Sequence, residues 1–151
     1  MASFRQEILD NIVTTLGAIT TGGGYNFSVG ECMLGLKGLN DSPADIMPNI
    51  YIAGADEKRR NLAQRTYHSD IFVAVIGYVK QTDTADKPKL ERDLSKLIAD
   101  ITKALMVDVT RGGYAVTTEI GDIDTDKGAF APVAGFEMVV RCQYRASVSS
   151  P

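Results

Sequence analysis

The chain contains little cysteine and almost no histidine. Its two cysteines, Cys32 and Cys142, lie far apart, and neither belongs to a CxxC pair or to a cysteine–histidine spacing typical of zinc sites. The sequence therefore predicts neither a structural metal nor a disulfide framework. This cysteine usage favours synthesis in a reducing, intracellular compartment.

Long apolar runs and an excess of basic charge are also absent. Polar residues interrupt the apolar ones throughout MASFRQEILDNIVTTLGAIT, which argues against a signal-peptide core there, and no later run is long enough to cross a membrane. With 16 basic and 19 acidic residues, the net charge is −3. This balance argues against tight sequence-independent binding to DNA or anionic lipid, but it allows a protein that DNA merely passes.

Two amphipathic helices are predicted from the spacing of apolar residues. Ser3 and Gln6 form a capping-box pattern, which starts a first helix over about residues 3–20 that the glycines at 22–24 end. Pro88 opens the second helix, whose apolar stripe continues to Leu105. The other side of this helix carries residues that we expect to face water: Glu91, Arg92, Lys96, Asp100 and Lys103.

Strands are predicted where apolar residues alternate with a period of two. The strongest pattern covers residues 65–80, where apolar side chains occupy both sides of the later half, as in a central strand. Further extended segments are expected at 27–29, 32–36, 47–53, 114–123 and 136–145. The polar run 54–64 is predicted to form an exposed loop or the end of a long hairpin.

The order α-β-β-β-α-β-β predicts a single α+β domain over residues 1–151. We expect a mixed, mainly antiparallel sheet with both amphipathic helices packed on one face. The opposite face would then carry Phe72, Ile76 and Tyr78 without a covering layer. We therefore expect oligomerisation and assign these three residues to a candidate subunit interface.

The stretch TTGGGYNFSVG does not fit a phosphate-binding loop. Such a loop places its glycines between a strand and a helix N-terminus, whereas these glycines follow a helix and precede a strand. Ser28 lies in a sequence similar to a nucleophile elbow, but the first glycine of that motif is missing, and His68 is the sole histidine available as a base. The sequence therefore predicts no catalytic residue and no cofactor.

Acidic residues alternate near the end of the chain, as at the start of a calcium loop. Asp122, Asp124 and Asp126 show this spacing, but the sixth position is Lys127 instead of glycine. The twelfth position is Val133, which cannot close the cage as a glutamate does. We expect a flexible acidic hairpin tip and no metal site.

The pattern as a whole resembles the tail terminator, or tail-completion, proteins of tailed bacteriophages. The resemblance covers most of residues 5–146, from the opening helix ILDNIVTTL through GYN and VG to DIMPNIYI, the long strand and the second helix. It implies a structural virion protein without catalytic activity, made in the host cytoplasm and placed in the neck region of the tail. Such proteins form a ring, commonly a hexamer, that caps the head-proximal end of the tail tube and stops its polymerisation.

The resemblance implies several partners: other copies of the chain, the tail tube protein, a head-completion or connector protein, and genomic DNA that passes the lumen without specific binding. No membrane is implied. Two loops, around residues 55–60 and 82–87, are candidates for docking, because charged rims set orientation. Their charged residues are Asp56, Glu57, Lys58, Arg59, Arg60, Asp83, Asp86 and Lys87. The tip with Asp122, Asp124 and Asp126 is either a lumen element that repels phosphate or an ordinary exposed turn.

Two other functions stay open from the sequence. One is a different neck component, such as a head-completion or connector protein, which differs in its partner and has no chemistry of its own. The other is a small cytoplasmic α+β enzyme or ligand-binding module that uses the turn 22–30 together with His68.

Overall fold

Within residues 3–81 and 86–149, which the computed structural model describes, the chain forms two α-helices and a five-stranded sheet. The elements are α1 (Phe4–Gly17), β1 (Glu31–Leu34), β2 (Asn49–Asn61), β3 (Thr66–Lys80), α2 (Lys87–Val107), β4 (Thr117–Thr125) and β5 (Val133–Ser147). The predicted α+β class and the predicted order of elements are both confirmed.

The helices begin at side-chain caps. The Ser3 hydroxyl accepts the N–H of Gln6 (3.2 Å), and the Asp86 carboxylate accepts the N–H of Lys89 (3.1 Å). Helix α1 ends at Gly17, earlier than the predicted residue 20, because Thr20 starts a separate short turn. The Thr20 hydroxyl accepts the N–H of Gly23 at 3.1 Å.

The sheet has the order β1-β2-β3-β5-β4 and is mixed, as predicted. Strands β1 and β2 are parallel, whereas every other neighbouring pair is antiparallel. Strand β3 lies in the centre and pairs with β5 along its whole length. Strand β2 continues to Asn61, so the interpretation of residues 54–61 as a loop is wrong, whereas the alternative, the end of a long hairpin, agrees with the structure.

The hydrophobic core lies between the two helices and one face of the sheet. Side chains on a strand alternate between its faces, so every second residue of β2, β3 and β5 points toward the helices. The buried residues include Ile50, Ile52, Ile71, Val73, Val75, Phe136, Met138, Val140 and Tyr144 from the sheet, and Ile8, Ile12, Leu16, Leu94, Leu97, Ile101 and Leu105 from the helices. Both helices cover the same face.

The segment between β1 and β2 covers one corner of the other face. Tyr51 lies on that face and is fully buried, with its hydroxyl 2.7 Å from the hydroxyl of Ser42. The Tyr78 hydroxyl donates to the carbonyl of Lys37 at 2.8 Å. No helix covers the rest of this face among the residues that the structure describes.

The glycine-rich turn after α1 is held by helix α2. Asp100 is 2% exposed, and its carboxylate accepts the backbone N–H groups of Asn26 and Phe27, each at 3.0 Å. Lys103 donates to the carbonyl of Gly24 at 3.0 Å. The expectation that Asp100 faces water is therefore wrong, because the carboxylate serves as the hydrogen-bond acceptor for a turn far away in the sequence.

Candidate interaction surface

The face of the sheet turned away from both helices is the candidate functional surface, here called the open face. Cross-strand partners lie on the same face, so the strand register determines which side chains are neighbours there. Its residues on the three inner strands include Tyr51, Ala53, Lys58 and Arg60 on β2, His68, Asp70, Phe72, Ala74, Ile76, Tyr78 and Lys80 on β3, and Glu137, Val139, Arg141, Gln143 and Arg145 on β5.

The centre of the open face is apolar. Ala53, Ala74 and Val139 form one row across three strands, with Phe72 and Ile76 on either side. Phe72 and Ile76 are half-buried, which leaves part of each side chain in water. The structure thus places these two predicted interface residues together on one uncovered surface.

Tyr78, the third predicted interface residue, lies on the same face but is already engaged within the chain. Its ring packs against that of Tyr51, with 6.0 Å between the ring centroids. Together with its hydrogen bond to Lys37, this contact fixes the segment between β1 and β2. Burial raises the pKa of the Tyr78 hydroxyl.

One end of the open face is rich in basic groups and is called the basic end: Lys58, Arg60, His68, Arg141 and Arg145. Arg60, His68 and Arg145 lie side by side on three neighbouring strands. Several of these groups line a cavity of about 280 Å³.

Acidic partners at the basic end are concentrated on a single arginine. Arg141 bridges the carboxylates of Asp70 at 3.1 Å and Glu119 at 2.9 Å. Both hydrogen bonds raise the pKa of Arg141, and the one to Asp70 has the larger effect. Among the described residues, neither Arg60 nor Arg145 forms a salt bridge with a carboxylate.

The opposite end of the open face contains a groove of about 370 Å³ called the acidic groove, defined by Ile76, Tyr78, Asp124, Phe130 and Glu137. Asp124 on β4 lies directly opposite Glu137 on β5, and both are exposed. Phe130 is 59% exposed. Apolar side chains and two carboxylates thus share one concave surface.

The predicted acidic tip is divided by the structure. Asp122 and Asp124 lie within β4, so the prediction of a flexible tip beginning at Asp122 is wrong, because pairing with β5 continues to Thr125. Asp126 begins the turn and accepts the N–H groups of Gly128 (2.9 Å) and Gly135 (3.0 Å). Asp126 therefore stabilises the turn, whereas the carboxylates of Asp122 and Asp124 remain exposed.

The predicted docking loop around Asp56–Arg60 is part of strand β2. Lys58 and Arg60 point to the open face, whereas Glu57 and Arg59 point to the helix side. Glu57 accepts hydrogen bonds from Ser69 (2.8 Å) and Tyr144. These residues therefore do not form a loop, because the strand places Lys58 and Arg60 on one face and Glu57 and Arg59 on the other.

Two residues of the second predicted docking loop lie at the start of α2. Asp86 caps the helix, and Lys87 is its first residue. Asp83 lies outside the described residues.

The structure does not bring the candidate nucleophile and base together. The Ser28 hydroxyl accepts the N–H of Thr21 at 3.0 Å, whereas His68 Nε2 lies 3.7 Å from Asp70 at the basic end. Burial raises the pKa of the Cys32 thiol to about 11, so it carries no reactive thiolate at neutral pH. Among residues 3–81 and 86–149, no group of three or more His, Cys, Asp or Glu side chains is arranged to hold a metal ion.

Sequence reasoning missed Glu137, Arg145 and Phe130 as surface residues of interest. Alternation along β5 places Glu137 and Arg145 away from the core, and that signal was present in the sequence. Their importance depends on neighbours from other strands, which only the register supplies.

In the part of the chain that the structure describes, neither helix has the length and apolar character needed to span a membrane. No protein-family model matches the chain, and no curated protein is significantly similar to it.

Proposed function

We propose that this chain is a structural protein of a tailed bacteriophage virion, which forms a ring on the head-proximal end of the tail tube. The ring, with six copies as the expected number, ends tube polymerisation and offers a surface to the head-completion or connector protein. The genome passes through the ring without specific binding. The protein acts without catalysis and without a cofactor.

The uncovered open face is the observation that carries this proposal. A monomer leaves its apolar centre, including parts of Phe72 and Ile76, in contact with water. Burying apolar surface contributes roughly 25 cal/mol per Å², and stable interfaces bury about 800 Å² on each partner. Contact with other protein surfaces would remove this unfavourable exposure.

Both edges of the sheet support association as well. On the β1 side, Leu34 is 40% exposed and Leu36 is 50% exposed, and on the β4 side Val116 and Phe130 are each 59% exposed. A ring in which each subunit contacts two neighbours joins two different surfaces of the subunit. Exposed apolar side chains at both sheet edges add to the surface available for such contacts.

The first test is the assembly state of the purified chain, measured by size-exclusion chromatography with light scattering and by electron microscopy. We expect rings, either spontaneously or when tail tubes are supplied. Phe72→Asp should weaken assembly because it places a charge in the apolar centre. Val107→Asp is the matched control, since Val107 is 78% exposed at the end of α2. A wild-type chain that stays monomeric and never binds tube ends would contradict the proposal.

Particles made without the protein distinguish its position in the virion. Loss of a tail terminator should produce overlong tails, because tube growth no longer stops. Full-length tails detached from leaking heads would instead identify a head-completion or connector protein and overturn the terminator role.

A further inference from the structure

Side chains of like character are grouped at both ends of the open face. Arg60 and Arg145 lie on either side of His68 at the basic end, and Asp124 lies directly opposite Glu137 in the acidic groove. Like charges directly opposite each other on adjacent strands, as Asp124 and Glu137 are, destabilise a sheet. Among the described residues, no salt bridge neutralises Arg60, Arg145, Asp124 or Glu137.

The two charged ends are held at a fixed separation. Glu137 and Arg145 lie on the same face of β5, eight residues apart, which corresponds to about 26 Å along a strand. The apolar row Ala53–Ala74–Val139 lies between them. A single rigid strand therefore carries opposite charges at its two ends.

The acidic groove has the chemistry to bind an arginine or lysine side chain. Ile76, Tyr78 and Phe130 provide apolar surface for an aliphatic stem, and Asp124 and Glu137 provide carboxylates for its cationic head. Arginine fits especially well, because its planar guanidinium can donate to two carboxylate oxygens at once.

We propose that the basic end of one copy of this chain docks into the acidic groove of a second copy, with Arg60 and Arg145 facing Asp124 and Glu137. This contact joins two different surfaces, so each copy can bind one neighbour at each end, and a suitable rotation closes a ring. The inference rests on the proposed ring and identifies its subunit contact. It assigns Asp124 to that contact and not to the lumen.

A second copy fits better than a nucleic acid or another anionic partner. A nucleic acid would neutralise the basic end but leave Asp124 and Glu137 facing each other. Two neighbouring copies supply the missing charge, one at each end, because every chain carries both surfaces. Every copy in a closed ring would then have both charged ends neutralised.

The test uses two charge-reversed variants, Asp124→Lys/Glu137→Lys and Arg60→Glu/Arg145→Glu. Each variant alone carries the same sign at both ends, so we expect its self-association to weaken by at least about 100-fold. Mixed in equal amounts, the variants should assemble again, because every contact then joins opposite charges. Light scattering measures assembly, and circular dichroism verifies that each variant is folded.

The matched control is Glu91→Lys/Lys96→Glu, which reverses two exposed charges on α2 away from the open face. This variant should assemble like the wild type. If the open-face variants assemble as well as the control, or if their folded mixture stays dissociated, the inference is overturned. The proposed function would still be supported in that case if the wild type caps tail tubes. If the mixture reassembles but no form of the chain caps tail tubes, the subunit contact stands and the terminator role fails.

Discussion

A methyl group at Gly30 would lie 1.8 Å from the carbonyl oxygen of Ile46. The N–H of Gly30 also donates to the carbonyl of Pro48 at 2.8 Å, so the two backbone segments are held close together. The glycine-rich stretch thus has a structural requirement at its last residue, where the chain enters β1. Gly22 differs, since no atom lies within 4 Å of where its Cβ would be.

We predict that Gly30→Ala lowers the free energy of unfolding by about 3 kcal/mol or more, because the clash involves backbone atoms that cannot rotate away. Gly22→Ala is the control and should change it by less than about 0.5 kcal/mol. Urea denaturation of both variants measures the difference. Equal stabilities would contradict the close approach at Gly30.

Tyr144 gives the protein a pH-dependent contribution to stability. Burial, together with its hydrogen bond to Glu57, raises the pKa of Tyr144 to about 12, from an ordinary value of 10.0. Below pH 10 the hydroxyl is protonated in both the folded and the unfolded chain, so its contribution is complete. As the pH rises toward 12, the unfolded chain loses this proton first, and the contribution is lost.

We therefore predict that the free energy of unfolding decreases less between about pH 10 and pH 12 in Tyr144→Phe than in the wild type. Denaturation at several pH values in this range measures both slopes. The pKa of Tyr51 is also raised to about 12, by burial and by a hydrogen bond to Glu31. Because Tyr51 is present in both proteins, its effect on stability cancels in the comparison. Parallel curves for the two proteins would show that Tyr144 titrates as it does in the unfolded chain.

Helix α2 has two functions in the fold. Its apolar stripe packs on the sheet, and its Asp100 and Lys103 bind the turn that follows α1. The buried carboxylate of Asp100 also accepts a hydrogen bond from the side-chain amide of Asn26 at 2.9 Å. Since buried polar groups must be paired, the turn and the helix depend on each other.

We predict that Asp100→Asn lowers the free energy of unfolding by about 2 kcal/mol, because one acceptor oxygen becomes a donor facing backbone N–H groups. The amides of Asn26 and Phe27 should also exchange hydrogen faster. Glu91→Gln, an exposed change on the same helix, is the control and should leave both measurements unchanged. Unaltered exchange at Asn26 in the Asp100 variant would show that the turn does not depend on the carboxylate.

The polar run in β2 shows why one element was predicted incompletely. Residues 56–60 are all charged, so they give no apolar alternation that would indicate a strand. They are extended because β3 offers register partners from Glu57 to Asn61, after a register shift between Gly54 and Glu57. By contrast, β3 and α2 were predicted within a few residues, because their apolar spacing matches one period over the whole element.

The arrangement of charge on the complete subunit follows from the sheet order. Arg60, His68 and Arg145 lie on β2, β3 and β5, and Asp124 and Glu137 lie on β4 and β5, yet pairing places each group in one row. The net charge of −3 gives no sign of this separation into a basic and an acidic end. An interface between copies can therefore be strongly charged although the chain as a whole is nearly neutral.

The sequence by itself determined the α+β class, the order of the elements and the apolar character of the open face, because these depend on local periodicity and on the number of apolar residues. Only the tertiary structure decided that Asp100 is buried, that Glu57 and Lys58 point to opposite sides, and that Asp124 meets Glu137. These facts depend on strand order, register and a bulge, which bring together residues distant in the chain. The same neighbours provide the charge pattern from which the contact between subunits is inferred.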